Sequence, residues 1–181
     1  MRRLILTGMV CAGAIYSISS CSSSANEKDQ STDSTNSNPK AAFIVPDTAK
    51  IPNDKYGELV RYGRELMLNT ARYIGPDGSA GKYLGNKMNC TNCHQDAGTK
   101  AFSFNLMTSH DNYPQYRGRE GQVLTLAERV NNCITRPHNG KPLPLDSKEM
   151  VAFLSYFRWI NSYVPKNEPF KGSKNLHVEF P

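Results

Sequence analysis

The sequence has a single C-x-x-C pair, Cys90 and Cys93, and no second pair at that spacing. Structural zinc sites need four ligands, most often two such pairs, so the common four-cysteine zinc modules are excluded. The most apolar run, Leu4 to Ile18, falls short of the roughly 20 residues that a membrane-spanning helix needs. The chain also lacks an internal repeat. Its 181 residues have room for one modest domain with terminal extensions.

A strong excess of either charge is absent as well. The formal net charge is +6 at pH 7, and it falls to +4 without residues 1–20, which contain Arg2, Arg3 and no acidic residue. Such a mild excess provides no reason to expect a nucleic-acid partner. It favours the attraction of a small anion or of an acidic redox partner protein.

The N-terminus has the pattern of an export signal. Arg2 and Arg3 precede the short apolar run, as they do in secretion signals. The run ends in Ile18-Ser19-Ser20-Cys21, which is similar to a bacterial lipobox. We therefore expect residues 1–20 to be a lipoprotein signal peptide and Cys21 to carry lipid. The alternative is ordinary secretion with Cys21 unmodified.

The segment that follows Cys21 is polar. From Ser22 to about Lys40 it contains almost nothing apolar and cannot bury enough surface to fold. Residues 21–50 are therefore predicted to be a lipid-anchored flexible tether, with the domain in the periplasm beside a bacterial membrane. Ser22 differs from the aspartate that retains many lipoproteins in the inner membrane, which slightly favours the outer one.

The one C-x-x-C pair belongs to Cys90-Thr91-Asn92-Cys93-His94, the attachment signature of a c-type haem. Two thiols at this spacing reach the two vinyl groups of one porphyrin, and the next imidazole binds the iron as proximal ligand. A disulfide and half of a zinc site are the alternatives. Because haem c is attached outside the cytoplasm, the export signal agrees with the motif. We predict one covalently attached haem c, bound through Cys90, Cys93 and His94.

The segment before this motif has helical periodicity. Asn53 or Asp54 is a good N-cap, and apolar residues at three- and four-residue spacing continue to about Arg72. Gly63 within that stripe disfavours a helix. We expect close approach of another helix, near Tyr156, to compensate.

Two further helices follow the motif. Thr125 and Glu128 form the capping box of a middle helix. Asp146 or Ser147 caps a last, largely apolar helix that ends near Tyr163. The long stretch from the motif to Gly121 is predicted to be an irregular, aromatic-rich cover. This order predicts an all-α, single small cytochrome c fold with long haem-covering loops in residues 51–165, followed by an extended C-terminal tail in residues 166–181.

The sixth iron ligand would decide the function of such a protein. The side chains that could supply it are Met88, Met107, His110, Cys133, His138 and Met150. A methionine, with Met150 or Met107 as the alternatives, is typical of an ordinary electron-transfer cytochrome. His110 and His138 are predicted to be surface loop residues.

Cys133 differs from the other cysteines because it has no partner once haem and lipid are attached. Unpaired cysteines are uncommon in exported proteins, since the compartment oxidises thiols. Arg129 lies four residues earlier, so the two side chains are neighbours on a helix. A guanidinium there favours the thiolate, which is the form that binds iron or acts as a nucleophile. The alternative is a buried, inert cysteine.

Several stretches between Tyr62 and Pro165 resemble the first haem domain of diheme thiosulfate dehydrogenases and, more distantly, the haem cytochrome subunit of the Sox system. They are Gly63-Arg64-Glu65-Leu66, Leu68-Asn69-Thr70, the haem pentapeptide, Tyr113-Pro114-Gln115-Tyr116-Arg117, Leu126-Ala127-Glu128-Arg129-Val130-Asn131-Asn132-Cys133 and Asn139-Gly140-Lys141-Pro142-Leu143-Pro144. The resemblance implies that Cys133 is an axial thiolate at the substrate site. It also implies that Arg129 and Arg119 bind the substrate anion. Two features differ from the family. Four residues after the cysteine the family commonly has a serine, whereas this chain has Pro137. The dehydrogenases of the family also carry a second haem domain, whereas this chain has one haem motif.

The single haem motif predicts a monohaem c-type cytochrome. The resemblance implies electron transfer in periplasmic sulfur oxidation, with His94 and Cys133 on the iron. The implied substrate is thiosulfate or another sulfur anion. Oxidation of thiosulfate to tetrathionate releases two electrons, so turnover would require a partner haem. The expected partner is another cytochrome or a membrane oxidase. The alternatives are a plain His/Met membrane-tethered electron carrier with no substrate chemistry and a haem-binding sensor without turnover.

Overall fold

Helices dominate the computed structural model of the protein, which describes residues 43–166 and Gly172. In chain order its elements are a one-turn 3-10 helix (Thr48–Lys50), α1 (Lys55–Leu68), α2 (Thr70–Ile74), a second 3-10 helix (Cys90–Asn92), α3 (Gln95–Gly98), β1 (Gln115–Arg117), β2 (Gln122–Leu124), α4 (Leu126–Thr135) and α5 (Lys148–Asn161). The prediction of an all-α fold is thus confirmed, with one small hairpin added. The predicted signal peptide, Cys21 and most of the predicted tether and tail lie outside the described residues.

The first and last long helices cross, as predicted. Gly63 of α1 lies so close to Ala152 and Tyr156 of α5 that a Cβ at position 63 would overlap the Ala152 carbonyl oxygen. Beside the crossing, the Tyr62 hydroxyl donates a hydrogen bond to Glu149 Oε1 at 2.9 Å. The missing side chain at Gly63 therefore allows the close approach that offsets the low helix propensity of glycine.

The crossing of α1 and α5 buries an apolar core. Val60 and Leu66 of α1 meet Phe153, Tyr156 and Ile160 of α5, and each of these side chains is almost completely removed from solvent. Burial of this kind is the main favourable contribution to folding. Within the described part of the chain, no helix has both the length and the apolar character to cross a membrane.

The helix caps agree with the predicted ones. Asp54 Oδ1 accepts a hydrogen bond from the Gly57 amide at 2.8 Å, which starts α1. Thr125 and Glu128 form the reciprocal capping box of α4. Ser147, the second of the two predicted candidates, accepts a hydrogen bond from the amide of Met150 and starts α5.

α1 ends at Leu68, earlier than the predicted end near Arg72. Asn69 leaves the helical region, with φ −128° and ψ 39°, and α2 then begins at Thr70. The break between α1 and α2 lies next to Thr70, whose hydroxyl accepts a hydrogen bond from the Cys90 amide at 2.8 Å. A tertiary contact 20 residues away in sequence therefore accompanies the break, and local periodicity gives no sign of it.

The stretch predicted to be irregular contains the first strand of an antiparallel hairpin, and the second strand directly follows that stretch. β1 pairs with β2 so that Gln115 faces Leu124 and Arg117 faces Gln122. Each strand has only three residues. Strands this short lack the alternation of apolar and polar residues that identifies a strand in sequence. The hairpin leads directly into α4, and its second strand β2 packs against the same helix that carries Cys133.

Candidate haem site

A cavity of about 450 Å³ opens between the C-x-x-C-H segment, the chain that follows it, α4 and α5. It brings together the five residues that the sequence identified separately: Cys90, Cys93, His94, Arg129 and Cys133. Apolar side chains form a large part of the remaining wall, among them Met67, Leu106, Leu126, Val130, Phe153 and Phe157. The volume and the mixed lining are typical of cofactor and small-molecule sites.

The imidazole of His94 is held in one orientation by the chain after it. Its Nδ1 lies 2.6 Å from the carbonyl oxygen of Phe104. Because a carbonyl oxygen only accepts, Nδ1 carries the proton and Nε2 keeps its lone pair. Burial lowers the pKa of His94, which favours the neutral ring. A neutral imidazole whose second nitrogen is tied to a carbonyl is the usual form of a metal-binding histidine.

The two thiols of the motif lie at the ends of the 3-10 helix Cys90–Asn92, which Cys90 begins and Cys93 follows as the C-cap residue. Besides the Thr70 bond to the Cys90 amide, Asn92 Oδ1 accepts a hydrogen bond from the Asn89 amide at 2.7 Å. Burial raises the pKa of the Cys90 thiol to about 11, so this thiol is protonated at neutral pH. Cys90 and Cys93 are free thiols and both line the cavity.

Cys133 and Arg129 lie on the α4 wall of the same cavity. The Arg129 Nη1 donates a hydrogen bond to Cys133 Sγ at 3.2 Å, as expected for neighbours one helical turn apart. Both side chains are half-buried. Since Thr125 and Glu128 cap α4 firmly, a rigid element carries this pair. The wall therefore combines a soft sulfur ligand with a fixed positive charge.

The two arginines of the Tyr-Arg-Gly-Arg stretch have different positions. Arg117 lines the cavity and is half-buried, and its Nη1 donates to Gln115 Oε1 at 2.9 Å. Arg119 is exposed on the turn between β1 and β2 and is not among the residues that line the cavity. Sequence reasoning missed Arg117.

Alternation along β1 explains the position of Arg117. Gln115 and Arg117 face the cavity, whereas Tyr116 between them is 65% exposed. Successive strand residues point to opposite sides, so a recognised strand would have identified Arg117. Of the two tyrosines in this stretch, Tyr113 lines the cavity and Tyr116 does not.

The methionines proposed as alternative sixth ligands lie away from the cavity. Met107 and Met150 have no exposed surface, belong to the apolar core and are not among the cavity residues. His110 lines a separate, more open pocket next to Tyr113. Met88 does line the main cavity.

The prediction of His138 as a surface loop residue was wrong. Its side chain lies in the wall of the main cavity, and only 6% of the residue is exposed. Burial, together with nearby His94, lowers the pKa of His138 and favours the neutral ring. The hydrophilic sequence around it, Pro137 to Lys141, contains no signal of this burial, which depends on the packing of distant segments.

The residues around the cavity fit a covalently attached haem. Cys90 and Cys93 offer two thiols at the required spacing, and His94 offers a lone pair on Nε2. The apolar wall suits a porphyrin, and Cys133 and His138 add sulfur and nitrogen donors to the same cavity. The donor set is thus complete for attachment and for a proximal ligand.

Comparison with known proteins shows which proteins this domain resembles. Residues 81–161 match the family described as SoxA/TsdA, cytochrome c domain. The thiosulfate dehydrogenase of Thiomonas intermedia (strain K12) is 40% identical over 132 residues, which cover 73% of this chain and 40% of that protein. The thiosulfate dehydrogenase of Stutzerimonas stutzeri (strain A1501) is 36% identical over 139 residues, covering 77% of this chain and 43% of that protein.

A solved structure agrees with these relatives. The thiosulfate dehydrogenase (TsdBA) from Marichromatium purpuratum, in its "as isolated" form, superposes with a TM-score of 0.67 at 26% identity. The match covers 77% of this chain and 30% of that chain. The predicted small cytochrome c fold is confirmed.

The fold and the site together define a c-type cytochrome domain, which carries covalently bound haem c. Residues 81–161 match the SoxA/TsdA cytochrome c domain family, so the predicted resemblance is confirmed. The chain spans less than half the length of these curated relatives, 40% and 43% of the two described above.

Proposed function

We propose that this protein is a monohaem c-type cytochrome of periplasmic sulfur oxidation, with His94 and Cys133 as the axial ligands of the haem iron. One observation supports this proposal above the others. The Cys133 sulfur lies in the wall of the cavity that His94 also lines, with the Arg129 guanidinium 3.2 Å from it. The relatives named thiosulfate dehydrogenase suggest thiosulfate, or a related sulfur anion, as the substrate.

The charged groups of the cavity suit a small dianion. Arg129 and Arg117 both line it, and arginine presents several donors in a planar fork that matches oxyanions. An anion beside Cys133 would therefore be held by two guanidinium groups from different elements, α4 and β1. Arg119, the arginine assigned by the resemblance, adds positive charge on the adjacent turn.

When bound, the haem supplies one-electron redox chemistry. The protein residues contribute the remaining functions: His94 donates from Nε2, Cys133 offers sulfur, and the arginines orient the anion. Joining two thiosulfates into tetrathionate releases two electrons, whereas one haem stores one. Turnover therefore requires a second acceptor, and we propose a partner cytochrome or membrane oxidase for this role.

Spectroscopy of the oxidised haem-loaded protein tests the proposed ligation. Low-temperature electron paramagnetic resonance and optical spectra distinguish histidine–thiolate from histidine–methionine iron. We expect a low-spin thiolate signature that disappears in Cys133→Ala, together with loss of thiosulfate-dependent haem reduction. A histidine–methionine spectrum would instead support a plain electron carrier. A thiolate signature and haem reduction that both survive in Cys133→Ala would contradict the proposal.

A matched pair of variants tests the arginine assignments. Arg117→Gln and Arg119→Gln each remove one charge from the same hairpin, so long-range electrostatic effects are similar. We expect Arg117→Gln to weaken thiosulfate binding about tenfold or more, since a charge-assisted hydrogen bond contributes roughly 1.5–3 kcal/mol. Arg119→Gln should have a clearly smaller effect. The reverse order would show that the arginine assigned by the resemblance, and not Arg117, holds the anion.

We also propose that the chain is exported and anchored to a bacterial membrane, with the outer membrane favoured, through lipid on Cys21. The lipobox-like sequence before Cys21 supports this proposal. Labelling cells with radioactive palmitate should label the wild type and leave Cys21→Ser unlabelled, with Cys11→Ser as a control that retains the label. Equal labelling of wild type and Cys21→Ser would disprove lipidation at this residue.

A further inference from the structure

A second nitrogen donor lies in the cavity wall next to Cys133. The His138 residue is 94% buried, and its ring lines the same cavity as His94 and Cys133. Its Nδ1 is buried and has no hydrogen-bond partner among the described residues. Leaving a buried polar atom unpaired costs about 1–3 kcal/mol, so such atoms are rare in native proteins and need an explanation.

The backbone holds His138 at this position. Its amide donates to the Cys133 carbonyl oxygen at 3.3 Å, and its own carbonyl oxygen accepts from the Gly85 amide at 2.8 Å. The preceding carbonyl, that of Pro137, accepts a hydrogen bond from Asn86 Nδ2 at 2.9 Å. The segment after α4 is thus fastened to residues 85–86. The main chain is fixed while the ring is not tied by a hydrogen bond at Nδ1.

We propose that His138 is a reserve axial ligand, which binds the haem iron whenever the Cys133 sulfur is away from it. This inference rests on the histidine–thiolate ligation proposed above. In the exchange an iron–sulfur bond breaks and an iron–nitrogen bond forms, and no electron is transferred. The released thiolate keeps its charge beside the Arg129 guanidinium. Imidazole is a suitable ligand for iron, so the iron stays six-coordinate while Cys133 is engaged with a sulfur anion.

The consequence is protection of the site. An iron with an open coordination position binds small exogenous ligands, whereas an iron that His138 occupies binds them only in competition. If His138 is bound nine-tenths of the time, the apparent affinity for azide falls about tenfold. The reaction at Cys133 would then proceed without a small ligand from solvent binding to the iron.

Four variants of the haem-loaded full chain test the proposal, and one of them is His138→Ala alone. In Cys133→Ala we expect a low-spin iron with two nitrogen ligands in the paramagnetic resonance spectrum. In Cys133→Ala/His138→Ala we expect a high-spin iron that binds azide about tenfold more tightly than Cys133→Ala does. His110→Ala in the Cys133→Ala background is the matched control, because His110 lines the other pocket, and it should change neither readout.

The outcomes separate this inference from the proposed function. A high-spin Cys133→Ala protein, or a double variant that remains low-spin, overturns the role of His138 even if the wild type shows thiolate ligation. A wild-type spectrum without thiolate, altered by His138→Ala, overturns the proposed ligation and the reserve role together. Retention of the thiolate signature in His138→Ala alone supports both proposals.

Discussion

Arg129 and Cys133 form a side-chain pair on one turn of α4, with the guanidinium Nη1 3.2 Å from the sulfur. The guanidinium is always charged, so the sulfur has a permanent positive neighbour in a partly buried setting. The same group faces the cavity in which an anion would bind. In the function proposed above, this residue has two tasks, which are to stabilise negative charge on the sulfur and to hold the anion beside it.

Removal of this guanidinium should weaken anion binding. Arg129→Gln deletes the charge and keeps a polar side chain, and we expect thiosulfate affinity to fall about 10- to 100-fold, the range for one charge-assisted hydrogen bond. Optical titration of the oxidised protein measures the affinity. Arg72→Gln, which changes an exposed arginine on α2, is the charge-matched control and should bind normally. Unaltered affinity in Arg129→Gln would remove this residue from the anion site.

A methyl group at Gly63 should separate α1 from α5. In Gly63→Ala the added Cβ overlaps the Ala152 carbonyl oxygen and Tyr156 Cβ. Overpacking of this kind costs about 1–3 kcal/mol in the free energy of unfolding, which urea titration measures. Gly118→Ala in the hairpin turn is the control, because no atom lies within 4 Å of the added Cβ. Equal stability of the two variants would show that the helices can separate at no cost.

The Thr70 hydroxyl should be required for a stable haem-attachment loop. It accepts from the Cys90 amide at 2.8 Å and donates to the Leu66 carbonyl at 2.7 Å. Thr70→Val leaves that amide without an acceptor, and we expect a loss of about 1–3 kcal/mol. Urea unfolding and the pyridine haemochrome assay measure stability and the yield of attached haem.

Thr135→Val is the matched control for this experiment. The Thr135 hydroxyl donates to the Asn131 carbonyl at 3.0 Å within α4, and its removal leaves no amide unpaired. We expect the control to lose clearly less stability and to retain haem. A Thr70→Val protein as stable as the control would rule out the proposed support of Cys90.

The ion pair between Glu120 and Arg136 should fasten the hairpin to the end of α4. Glu120 Oε1 accepts from Arg136 Nη1 at 2.9 Å and from Asn132 Nδ2 at 3.4 Å. Glu120→Ala should accelerate hydrogen exchange of the β1–β2 amides about three- to tenfold, consistent with a partly exposed pair near 1 kcal/mol. Asp77→Ala removes the fully exposed ion pair with Lys87 and is the control. Unchanged hairpin exchange would show that the strands are held by other contacts.

Local chemistry made the helix starts and the haem-attachment motif predictable. Asp54, Thr125 and Ser147 act as caps because a short polar side chain satisfies an amide within the next three residues. The Arg129–Cys133 pair is predictable for the same reason, since a helix places residues four apart on one side. The close contact of Gly63 followed from a helix-breaking residue in an otherwise apolar stripe.

Other features depend on contacts that sequence spacing does not express. The break at Asn69 accompanies the bond between Thr70 and Cys90, and the hairpin strands are too short to show alternation. That hairpin directs Arg117, and not Arg119, into the cavity. The burial of His138 in turn needs residues 85–86 and the end of α4 to meet.

The sequence by itself determined the C-x-x-C-H motif of Cys90, Cys93 and His94, the helix order and the neighbouring positions of Arg129 and Cys133. Each of these depends on groups within a few residues of one another, whose geometry the backbone sets. Only the tertiary structure decided which donors share the cavity, bringing in Arg117 and His138 and leaving Met107 and Met150 in the core. The packing of α1, α5 and the long loops against one another decides whether a side chain lines the cavity or lies in the core. The spacing of residues along the chain does not predict that packing.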